Sequence, residues 1–69
     1  MAVVKIVEVI GSSKKSWEDA VKNALAETAD TIRNIKSIDV KRCTAQVSRN
    51  KIVEYRAVVN IAFVVQRQK

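Results

Sequence analysis

The chain has no histidine, one cysteine (Cys43), one glycine (Gly11) and three aromatic residues, Trp17, Tyr55 and Phe63. Each scarcity excludes something. One cysteine rules out an internal disulfide framework, and without histidine a structural zinc site cannot be assembled within one subunit. Cys43 likewise lacks an imidazole to activate it, so it reads as a small buried hydrophobe. Three aromatics leave little with which to stack bases, and no arginine-rich run is present. Both facts argue against nucleic acid as a partner. No nucleophile–base set, metal cluster or pair of converging carboxylates emerges, and the chain does not read as an enzyme. The N-terminal stretch Met1–Glu8 carries charges every few residues, so it is neither a signal peptide nor a membrane span. A cytoplasmic protein with a reduced cysteine is the expectation.

What is present is apolar and basic. Hydrophobic residues make up 48% of the 69, which is not the composition of a disordered chain. One domain over 1–69 is expected, close to the lower size limit for folding on a single core. A small apolar chain without staples gains burial from partners, and oligomerisation is the first inference. The net charge of +6 is spread along the sequence. It leaves open a basic scaffold that gathers polyanions.

The pattern reads β-α-β-β, an α+β fold. Strand one is Val3–Ile10, with both faces mostly apolar, and Gly11 ends it. A helix follows with Ser16 as N-cap and Glu18 and Asp19 in the first turn, where the helix dipole favours acids. Trp17, Ala20, Val21, Ala24, Leu25, Thr28, Ala29, Ile32 and Ile35 repeat as one buried stripe. The helix is expected to end near Asn34, a residue that tolerates a left-handed cap. Strand two covers about Ile38–Ser48, and its apolar positions change face near Lys41-Arg42, which predicts a bulge. Ser48-Arg49-Asn50-Lys51 is a turn, with Asn50 suited to positive φ. Strand three, about Ile52–Gln66, is uniformly apolar at odd positions from Val53 to Val65. One helix covers that side only. The other side still offers Val58, Ala62 and Val64, so a closed assembly is expected.

Two candidate sites follow from the residues. Ser12, Ser13 and Lys14 at the helix start resemble an anion cradle, although the same residues make an ordinary capped turn. Arg56 lies on the face opposite the helix. A charge there requires a partner, either an acid such as Asp39 or Glu54 or an anionic ligand. Trp17 is either a stacking platform or a core or subunit contact.

The strand Lys5–Ser13 has the form K-x-V-E-x-x-G-[ST]-S. With Ser16–Ala20, Thr31–Ile35, Ile38–Val40, Glu54-Tyr55-Arg56 and the Phe63 strand, the chain resembles the dodecins along nearly its whole length. The resemblance implies a three-stranded antiparallel sheet partly wrapped around one outward-facing helix, and a hollow spherical homododecamer. It also implies storage of flavins, riboflavin or FMN, stacked in pairs at subunit contacts. Three pocket positions depart from the family pattern. Ser37 stands where a tryptophan stacks on the flavin ring, Arg56 where a glutamine bonds its polar edge, and Thr44 where an arginine assists. A lost ring removes about 1–3 kcal/mol of stacking, by analogy with bases on aromatics. A guanidinium only donates, unlike an amide. The resemblance therefore implies a dodecin-like binding or storage protein with an altered pocket, taking an anion or nothing. A flavin-storing dodecin in which Trp17 or Tyr55 of a neighbour supplies the ring is the alternative.

Overall fold

The computed structural model describes residues 2–66, so the ends of the unit expected over 1–69 lie outside the described residues. The elements are β1 Ala2–Ser13, α1 Trp17–Ala29, β2 Ile35–Ser48 and β3 Lys51–Gln66. They form the expected β-α-β-β fold, with one antiparallel sheet in the order β1-β3-β2. The long β3 is central because its partners pair along both of its edges.

Ser16 caps α1 as its residue type predicts, its hydroxyl accepting from the Asp19 N–H at 3.0 Å. The helix ends at Ala29, with Asp30 as C-cap, rather than near Asn34. Asp30, Thr31 and Ile32 are poor helix formers, and the chain must leave the helix for Ile35 to pair with Phe63. Asn34 does take positive φ (63°), but at the entrance to β2, where its carbonyl accepts from Val64 N–H. Arg49 and Asn50 both have positive φ, the geometry of a two-residue hairpin turn. The register of β2 on β3 shifts between Val40 and Arg42, which is the bulge expected there.

Gly11 does not end β1. It continues the strand, paired with Ala57, and its φ is not positive. Its role is close approach. A Cβ there would lie 2.2 Å from the Ala20 carbonyl oxygen and 2.8 Å from the Ala24 Cβ. The missing side chain lets α1 sit directly on β1. Ala20, Ala24, Ala57, Val59 and Ile61 then form a core whose members are at most 2% exposed. Alanine on the helix face serves the same end as the glycine, since short side chains bring the two layers together.

The helix covers little else. Thirteen residues span about 20 Å of helix, against roughly 50 Å for the sixteen of β3. Val53 and Val65, toward the ends of β3, are accordingly exposed, although they lie on the side the stripe predicts as covered. Cys43 is exposed rather than buried, because β2 is an edge strand that α1 scarcely reaches. The chain exposes 5562 Å², against roughly 4300 Å² expected for a compact monomer of this mass.

Gly11→Ala should lower stability by about 3 kcal/mol through overpacking against helix backbone. Urea unfolding followed by circular dichroism at fixed protein concentration reads this. A loss below about 0.5 kcal/mol would show that the layers can separate freely.

Candidate functional site

Cross-strand partners share a face, so the register sorts every strand residue. Ala57, Val59, Ile61 and Phe63 face α1. Opposite them lies an open face with no helix on it. Its β1 edge carries Val4, Ile6 and Ile10, at 59%, 66% and 64% exposure. Toward β2 it becomes polar, through Ser37, Asp39, Arg42 and Thr44. The bulged Lys41 reaches across β3 to Glu8, Nζ to Oε2 at 3.1 Å, and both side chains are about half exposed. An ion pair so exposed contributes at most about 1 kcal/mol. Arg56 donates from Nε to Glu54 Oε1 at 3.0 Å, which supplies one of the acids a charge on that face requires.

The charges on this face balance. Glu8, Asp39 and Glu54 stand against Lys41, Arg42 and Arg56, so the excess positive charge of the described residues lies elsewhere. The face also lacks rings. Tyr55 and Phe63 occupy odd positions of β3 on the helix side, and Trp17 is on the helix itself.

Register brings Thr44 and Arg56 together as direct partners, while Ser37 pairs with Ala62. Six residues of strand separate Ala62 from Arg56, about 20 Å. One subunit therefore cannot offer all three positions to one small ligand. Ser37 instead lies at the rim of a groove of about 340 Å³ formed by Leu25, Ala29, Ile35, Lys36 and Ile38.

The residues proposed as an anion cradle diverge. Ser13 turns toward the helix, where its hydroxyl donates to Asp19 Oδ2 at 2.7 Å and accepts from Lys15 N–H at 2.9 Å. The protein's own carboxylate thus occupies that hydroxyl. Ser12 points to the open face, where its direct partner is Arg56, and Lys14 is exposed in the turn.

Two helix side chains that sequence reasoning did not connect to the sheet hold this region from behind. Trp17 Nε1 donates to the Thr44 carbonyl at 2.7 Å, and its ring meets Tyr55 edge-on at 4.8 Å. Asn23 Nδ2 donates to the Ser12 carbonyl at 2.9 Å. Trp17 remains 40% exposed and is a tether between α1 and β2 rather than a core residue.

A family model described as Dodecin matches residues 3–66. The chain belongs to the dodecin family. A dodecin of Thermus thermophilus is 31% identical over 61 residues, 88% of each chain. Calcium dodecin of Mycobacterium tuberculosis is 29% identical over 63 residues, 91% of this chain and 89% of its own. Among solved structures, the tt0972 protein of Thermus thermophilus superposes with a TM-score of 0.92 at 28% identity, covering 99% of this chain and 100% of its own. The crystal structure of the Mycobacterium calcium dodecin gives 0.83 at 25% identity, covering 97% and 96%. The fold and family drawn from the strand-one motif are therefore shown.

The open face of one subunit carries no aromatic ring, and its acidic residues are dispersed. Calcium takes six to eight oxygen ligands at 2.3–2.6 Å. Glu8 is held by Lys41, and no group of three or more His, Cys, Asp or Glu comes together among the described residues.

Trp17→Phe keeps the ring but removes the donor to Thr44, and should cost about 1 kcal/mol in urea unfolding. Trp17→Ala should cost more, through loss of the Tyr55 contact. Equal stability of all three proteins would show that the tether is idle.

Proposed function

We propose that this chain is a self-assembling, non-enzymatic binding or storage protein of the dodecin type, a cytoplasmic homododecamer whose flavin pocket has been altered. The observation that carries the reading is the open face. It is apolar along β1, neutral in charge and uncovered, which suits contact with further copies. At the same time it has no ring at the family's stacking position, Ser37, and a donor-only guanidinium at Arg56. The 20 Å between Ser37 and Arg56 supports a pocket completed between copies. The ligand is an anion, or the pocket is vacant.

A flavin-binding dodecin is the second reading, supported by the exposure of Trp17. Its indole lies on the helix side, away from Arg56, so a neighbouring copy would have to present it. The third reading, a polyanion scaffold, draws on the location of the described residues' excess positive charge outside the open face.

Light scattering should give a mass near 92 kDa, twelve copies of 7.7 kDa. A stable monomer or dimer would refute the assembly. In a riboflavin titration the parent should leave flavin fluorescence unquenched at micromolar concentration, while Ser37→Trp gains quenching. Equal quenching by both would favour the second reading. Heparin binding that survives about 0.2 M salt would favour the third.

A further inference from the structure

We propose that Ser12, Arg56 and Thr44 form a single oxyanion-binding row on the open face, taking the phosphate group of a small ligand. The inference rests on the reading above, in which this face holds the ligand. It joins one residue of the supposed helix-start cradle to two positions of the altered pocket.

Ser12 and Thr44 are the direct partners of Arg56 on its two sides. Adjacent strands lie about 5 Å apart, so Ser12 and Thr44 stand about 10 Å apart with the stem of Arg56 rising between them. All three groups are donors, and a phosphate with several charged acceptor oxygens answers such a set.

The row is held in place before any ligand arrives. Asn23 fixes the Ser12 carbonyl and Trp17 the Thr44 carbonyl, both from the helix side. The Tyr55 ring packed on Trp17 steadies the residue next to Arg56. Glu54 engages Arg56 through Nε at 3.0 Å. It orients the guanidinium while its other four N–H donors have no partner among the described residues.

Charge favours an anion locally, although the face as a whole is neutral. Arg42, the partner of Val58, stands one row further along β2 on the same face. Against Arg56 and Arg42 the only carboxylate at the row is Glu54. Asp39 lies beyond Arg42, and it forms no ion pair with it within 4 Å among the described residues. Assembly over this face would withdraw water from that surplus positive charge and increase the demand for a counter-charge.

The test uses the full chain titrated with inorganic pyrophosphate at constant ionic strength, read by calorimetry and by emission of Trp17, the sole tryptophan. Saturable binding is expected. Arg56→Gln should weaken it about tenfold or more, and Ser12→Ala and Thr44→Val about three- to tenfold each. Lys14→Gln should leave it unchanged. Circular dichroism confirms that each variant folds. In a parallel arm FMN should bind and riboflavin should not. Absence of saturation, parent-like affinity in Arg56→Gln, or equal binding of FMN and riboflavin would overturn the proposal. A 92 kDa assembly that ignores pyrophosphate removes this inference alone. A monomer that binds it removes only the assembly reading.

Discussion

The close seat of α1 on β1 at Gly11 is the contact from which the other features of this fold follow. With no Cβ at Gly11 and methyl groups at Ala20, Ala24 and Ala57, the helix packs tightly against the middle of the sheet. That seat buries the core of a very small protein. It also brings Trp17 and Asn23 within reach of β2 and of the end of β1, which are the tethers behind Thr44 and Ser12. A larger residue at position 11 would push the helix away and lengthen both bonds, so core and candidate site share one steric condition.

The same contact determines what stays uncovered. A 13-residue helix shields the centre of one side of a sheet whose central strand has 16 residues. The second side is left as a surface that is apolar toward β1 and charged but balanced toward β2. With the excess positive charge of the described residues off this face, the proposed contact between copies there would meet no net charge repulsion.

Much of the fold was legible because local chemistry and tertiary structure agree. Ser16 as cap, the bulge near Lys41-Arg42 and the turn at Arg49-Asn50 all lie where residue type and alternation put them. Gly11 reads as a strand end because a glycine there looks the same in sequence whether it turns the chain or admits a helix. The apolar stripe predicts too long a helix because Ile32 and Ile35 continue it while belonging to the exit loop and β2. The residue type of Cys43 predicts burial, but edge position decides its exposure and alternation does not reveal it. At the site, counting back from the turn at Arg49-Asn50 would set Thr44 opposite Tyr55, and a register shift between Gln46 and Val47 moves its partner by one residue to Arg56. The link of Ser12 to Arg56 depends on how β1 meets β3 across more than forty residues, and no local signal encodes it.

The central claim is that the open face is a contact between copies, and Ile6 tests it directly. This side chain is 66% exposed in the single subunit, so Ile6→Lys should leave the subunit's own fold intact. Buried between copies, the unpaired ammonium should be costly enough to break the assembly. Sedimentation velocity on parent and variant, with circular dichroism to confirm folding, measures this. The account predicts a large species for the parent and a much smaller, folded species for Ile6→Lys. A variant that sediments with the parent would contradict it.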